Sequence, residues 1–141
     1  MIIQLIILEK ISQMFRECRV CGKKQKIQDF PVAKTKPDGS RWYRRVCQQC
    51  YQKGKTHLRV RNRNWLTKYK QKLHCQECGY SHKSHKNFVV QALDFHHPNQ
   101  DKSFAISDGA NRGFSIKNII KEIDKCEVLC CRCHIEKHYK K

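Results

Sequence analysis

Residues 129–138 read Leu129-Cys130-Cys131-Arg132-Cys133-His134-Ile135-Glu136-Lys137-His138, a CxxC pair followed by two histidines four residues apart. A CxxC turn lets two thiolates grip one tetrahedral ion at about 2.3 Å each, and a second such turn closes the site. That second turn is available upstream, in Leu73-His74-Cys75-Gln76-Glu77-Cys78-Gly79-Tyr80. His134 and His138 stand at i and i+4 of a predicted short helix, so both imidazoles project from one face, a geometry suited to metal chelation.

The same pairing recurs nearer the N-terminus. Eight of the ten cysteines fall into CxxC pairs: Cys18 with Cys21, Cys47 with Cys50, Cys75 with Cys78, and Cys130 with Cys133. Four pairs imply two structural zinc ions. Gly22 and Gly79 each follow the second cysteine of a pair, where a sharp turn often needs positive φ. Disulfides are the alternative, but Met1 to Leu8 lacks the basic start and small-residue cleavage site of a secretory signal, so a reducing, cytoplasmic setting is expected. Cys126 and Cys131 are left over and are assigned to packing. With 39% hydrophobic and 30% charged residues in 141, little apolar material is present for a large core, and metal is the expected staple.

Thirty Lys and Arg against twelve Asp and Glu give a net charge of +18. Such an excess points to a polyanion, and nucleic acid gains affinity by releasing counterions from its phosphates. A membrane partner is not expected: the longest apolar stretch, Ile2 to Leu8, is far shorter than the ~20 residues of a spanning helix. Residues 1–16 are read as a leader, either a strand or disordered, with Met14 as an alternative start.

Residues 17–53 are expected to form a small zinc ribbon. Pro37-Asp38-Gly39 marks a turn, and Ile27, Phe30, Trp42, Tyr43 and Val46 flank it as the few core side chains of a hairpin. Lys34, Lys36, Arg41, Arg44 and Arg45 are candidate phosphate contacts, with a solvated charged face as the plainer alternative. Residues 54–72 are expected to be a basic helical connector, and no acidic residue occurs from 51 to 74. Leu58, Trp65, Tyr69 and Leu73 recur on one helical side, leaving Arg59, Arg61, Arg63, Lys68, Lys70 and Lys72 to meet a nucleic-acid backbone. Core packing is the favoured role for Trp65 and Tyr69, with base stacking as the alternative.

The remaining unit, 73–141, carries the chemistry. Phe88 to His97 favours a strand through Val89, Val90, Leu93 and Phe95, ending in His96-His97-Pro98. Ser115 can cap a helix whose Ile116, Ile119, Ile120 and Ile123 form an apolar face. His82 and His85 lie in a polar loop and are read as solvated.

Over Cys75 to Tyr139 these residues resemble the HNH nucleases of the ββα-metal fold, particularly small phage-type members with CxxC knuckles. The resemblance rests on CxECG at the first knuckle, LDFHH at Leu93 to His97, Asp101-Lys102-Ser103-Phe104, and LCxxCHxxxH at Leu129 to His138. Residues Cys18 to Cys50 are likewise similar to a zinc ribbon often placed before such domains. The resemblance implies an α+β protein with an N-terminal zinc ribbon and a treble-clef-like ββα-metal nuclease domain. It implies that His96, His134 and His138 hold a catalytic divalent ion and that His97 is the general base. The asparagine usual in the family falls at Lys125 here, leaving Asn99, Asn111, Asn118 or a backbone carbonyl to orient the base.

Hydrolysis of a phosphodiester needs charge neutralised on the phosphoryl oxygens and a base matched to neutral pH, which an imidazole supplies. Imidazole ligands suit manganese, nickel, cobalt or zinc better than magnesium, and the ion is left open. The expected partner is DNA, with RNA open, nicked on one strand per site by a monomer or dimer. The competing reading is a non-catalytic zinc-dependent nucleic-acid-binding protein, in which the histidines are surface groups or His134 replaces a cysteine. A zinc deaminase is a weaker third, because no HxE precedes a CxxC pair.

Overall fold

A computed structural model describes residues 14–139. The expected leader lies largely outside these residues, although Phe15 and Arg16 already belong to a strand. The chain is mixed α+β, with three two-stranded antiparallel sheets and four α-helices among the described residues. It divides into two compact units, Met1–Thr56 and His57–Lys141.

In the first unit β1 (Phe15–Glu17) pairs with β2 (Lys24–Lys26) across the turn that carries Cys18 and Cys21. Gly22 closes this turn at φ 68°, its N–H donating to the Cys18 carbonyl at 2.8 Å, a conformation that a side chain would strain. β3 (Val32–Thr35) and β4 (Arg41–Tyr43) form a second hairpin. Its turn is the predicted one: Ser40 N–H donates to the Asp38 carboxylate at 2.8 Å, and Gly39 N–H to the Lys36 carbonyl at 3.0 Å. Cys47 and Cys50 flank the start of α1 (Gln48–Lys70).

Cys18, Phe30 and Cys47 are the buried residues of this unit's core, with Tyr43, Val46 and Cys50 packed on them. One buried phenylalanine contributes about 1.5–3 kcal/mol, whereas each ordered residue costs about 1–2 kcal/mol of backbone entropy. The cysteine cluster must therefore supply what apolar burial does not. Trp42 does not join the core as expected. It is 62% exposed, because strand alternation turns Tyr43 inward and its neighbour outward.

Helix α1 starts at Gln48, earlier than the boundary at 54 read from composition, since neither proline nor a capping break interrupts the basic run. From His57 onward it belongs to the second unit, where Trp65, Leu66 and Tyr69 pack against Ile106, Ala110, Ile119 and Ile123. Trp65 and Tyr69 stack on each other with centroids 5.2 Å apart, which gives them the packing role. Asn62 is fully buried; its amide donates to the Phe114 carbonyl at 2.8 Å, and its oxygen accepts from Arg61.

β5 (Leu93–His96) pairs with β6 (Glu127–Cys130) in the register Leu93↔Cys130 to His96↔Glu127. The strand is shorter than expected: Val90–Ala92 form a 3-10 turn and Val89 is exposed. Between the strands lie α2 (Ile106–Arg112), which the sequence reading did not foresee, and α3 (Ile116–Ile123). Ser115 caps α3 as expected, its hydroxyl accepting from Asn118 N–H at 3.1 Å. Ile119 and Ile123 face the core, whereas Ile120 is exposed and Glu122 takes a buried place. α4 (Cys131–Tyr139) follows β6 without a linker. The first knuckle is tied to β6 by Gln76, whose N–H donates to the Val128 carbonyl at 2.9 Å while its side chain accepts from Val128 N–H at 3.0 Å.

Candidate functional site

Cys18, Cys21, Cys47 and Cys50 form one cluster and Cys75, Cys78, Cys130 and Cys133 another, with all ligand atoms in each within 4.8 Å of one another. Both could bind zinc. Cys78 and Cys130 sulfurs lie 3.7 Å apart, against about 3.8 Å for two thiolates 2.3 Å from one tetrahedral ion. The Cys18 thiol is pulled down to about 6, chiefly by the Cys47 backbone N–H. Burial pushes Cys75 up, but N–H groups of Cys78, Cys130 and Glu77 outweigh it and bring this thiol also to about 6. Cys50, hydrogen-bonded to Cys47, and the buried Cys133 are instead held up at about 12. One thiolate forms readily in each cluster and repels the next, so a dication is what lets four ionise together.

A third group brings together His96, His134 and His138, again within 4.8 Å. Ring centroids are 5.2 Å apart for His96 and His134, 5.1 Å for His96 and His138, and 4.9 Å for His134 and His138. His134 and His138 Nε2 atoms approach to 3.2 Å, close to the roughly 3.3 Å expected of two imidazoles about 2.0–2.1 Å from a tetrahedral ion. Local geometry explains the meeting. Strand alternation puts Asp94 and His96 on one face of β5, and i,i+4 spacing puts both other histidines on one face of α4. Lys137 of α4 ion-pairs with Glu127 of β6 and, at 3.7 Å, with Glu77.

Asp94 Oδ2 lies 3.4 Å from His134 Nδ1. A carboxylate there keeps the proton on Nδ1 and leaves Nε2 as the ligand atom. Burial, with His134 and His138 adding to it, lowers the His96 pKa and keeps its lone pair free at neutral pH. The donor set fits a divalent ion, and His134 stands apart from the neighbouring four-cysteine cluster rather than completing it.

His97 is outside this trio. Its Nε2 lies 3.0 Å from Glu122 Oε1 and 3.3 Å from Cys126 Sγ. Glu122 is almost fully buried; that burial would raise its pKa, but Lys125, Ser103 N–H, Phe104 N–H and His97 together bring it to about 2. It is therefore an anion and accepts. Burial pushes the Cys126 thiol up to about 11, and the protonated thiol donates to the Glu122 carbonyl at 3.3 Å. Facing that carboxylate, Nε2 is the ring nitrogen that donates.

The side chain that meets His97 is Glu122, not Asn99, Asn111 or Asn118. Lys125 supports Glu122 from behind through a 2.9 Å ion pair with Oε2. A carboxylate between Ile119 and Ile123 on an apolar helix face was the available signal, because charges are seldom buried without partners. Cys126 is likewise a neighbour of His97 rather than mere packing, and Cys131 is exposed.

His97, His134, Asp94, Lys70 and Lys102 line a cavity of about 200 Å³. A neighbouring one of about 320 Å³ is lined by Arg59, Arg63, Gln91 and Asn111, and the two share Leu66, Lys70 and Ser107. Of the other predicted basic contacts, Arg61 holds Asn62, while Lys68 and Lys72 line neither cavity. Arg41, Arg44 and Arg45 are exposed in the first unit, with Arg44 over the Tyr51 ring. His82 and His85 are both exposed as expected, the His82 ring lying edge-on to Phe88. No protein-family model, curated protein or solved structure matches the chain.

Proposed function

We propose that this chain is a metal-dependent HNH-type endonuclease that hydrolyses phosphodiester bonds of DNA, with both four-cysteine clusters holding structural zinc. The observation that carries the reading is the convergence of His96, His134 and His138 beside a carboxylate-bound His97, with His97 and His134 lining a cavity that also carries Lys70 and Lys102. An antiparallel strand pair whose second strand runs directly into a helix, pinned by a CxxC cluster, supports a ββα-metal fold for residues 73–139, and the first unit supports a zinc ribbon.

His96, His134 and His138 would hold the catalytic ion, whose bound charge offsets the negative charge that builds on the phosphoryl group. Asp94 fixes the ligand tautomer of His134. Nδ1 of His97 takes a proton from the attacking water, and Glu122 stabilises the imidazolium that results. Lys70, Lys102, Arg59 and Arg63 bind phosphates along the two cavities and set the register of the strand. The charge of the groove selects a polyanion, and the single histidine base favours cutting one strand per engagement.

Incubating supercoiled plasmid with the zinc-loaded protein and Mn²⁺ tests the reading. Nicked circles appearing before linear product are expected; a gel shift with no cutting would instead identify a binding protein. Glu122 is a positioning residue, and Glu122→Gln checks that role. The amide oxygen still accepts from Ser103 and Phe104, so the fold should persist, while lost charge should cut kcat by about ten- to a hundredfold with KM unchanged. Because the native carboxyl sits near 2 rather than 4.5, its contribution to stability is complete above pH 4.5 and fades as pH falls toward 2. A rise in KM alone would remove Glu122 from the positioning role.

A further inference from the structure

The outward face of the β3–β4 hairpin carries an unexplained indole. Trp42 is 62% exposed, its cross-strand partner is Lys34, and Lys36 Nζ lies 5.4 Å from its ring centroid. All four residues of β3 are exposed. The one acidic residue here, Asp38, is occupied by Ser40 in the turn. Leaving so large an apolar surface in water forgoes roughly 1.5–3 kcal/mol of burial, and the first unit has little core elsewhere.

An indole flanked by two ammonium groups matches both halves of a nucleotide: the ring meets the flat face of a base, and the lysines meet its phosphates. In a duplex those base faces are already stacked. An unpaired strand exposes them. We propose that this hairpin is a single-strand nucleic-acid platform, on which Trp42 stacks an unpaired base while Lys34 and Lys36 bind the flanking phosphates. The proposal rests on the nucleic-acid partner of the preceding reading and is independent of cleavage.

The chain has two tryptophans, so Trp65→Phe leaves Trp42 as the sole indole emitter. This variant is titrated with a labelled oligo-dT strand and with a blunt duplex, following indole emission and strand anisotropy together, with zinc content as the check on folding. Emission should be quenched at saturation by the single strand. In the otherwise natural chain, Trp42→Ala should weaken single-strand binding by about 5- to 150-fold, Trp42→Phe should restore most of it, and duplex affinity should hold. Unchanged emission at saturation, or equal loss for single strand and duplex, would overturn the proposal. Quenching by a protein that never cuts would leave the platform standing and remove the nuclease reading.

Discussion

Replacing His97 with alanine is expected to slow plasmid nicking by about 10²–10⁴-fold, the usual worth of a positioned proton acceptor. The fold, the zinc content and the DNA affinity should survive. Glu122 keeps Lys125, Ser103 N–H and Phe104 N–H after the imidazole is gone, so no buried charge is stranded. The three other histidines are untouched, because His97 is not one of the convergent trio. Single-turnover nicking, zinc analysis and filter binding on one preparation separate these effects. If zinc content and binding fall with the rate, His97 is a structural residue and not the base.

Cys75→Ser is expected to unfold the second unit outright. A structural zinc site contributes on the order of 10–16 kcal/mol in small metal-dependent folds, comparable to or larger than the roughly 5–15 kcal/mol net stability of a typical domain. Cys75 is buried among Leu93, Val128 and Leu129, and these residues form the floor on which β5, β6 and α4 hold the histidines. Losing the ion separates the knuckle from that floor. The first unit has its own four cysteines, so one zinc per chain should remain and its amide signals should persist in an NMR spectrum while those beyond residue 73 collapse. Two bound zincs with a full spectrum would show that the cluster is not the staple.

What the sequence made legible was local. CxxC spacing, the i,i+4 histidines, the Pro37-Asp38-Gly39 turn and the Ser115 cap are each written within a few residues, where backbone geometry alone dictates the outcome. Spacing alone put His134 and His138 on one face, whereas the convergence of His96 with them was anticipated only through the resemblance to HNH nucleases. What stayed hidden depends on partners distant in sequence. Glu122 meets His97 across 25 positions. Asn62 reaches Phe114 across 52 and reads, in Arg61-Asn62-Arg63-Asn64, like any solvated polar run. Trp42 failed for a different reason: aromatic content predicts burial on average, but a two-stranded hairpin has only one inward face, and Tyr43 took it. The early start of α1 shows the same limit, since charge composition marks where a chain is basic and not where it becomes helical.

Diffraction from crystals soaked in Mn²⁺, recorded at the manganese and zinc absorption edges, bears most directly on the proposed histidine metal site. A manganese peak among His96, His134 and His138, separate from zinc peaks in the two four-cysteine clusters, is the expected result. Metal confined to the cysteine clusters at saturating Mn²⁺ would contradict it.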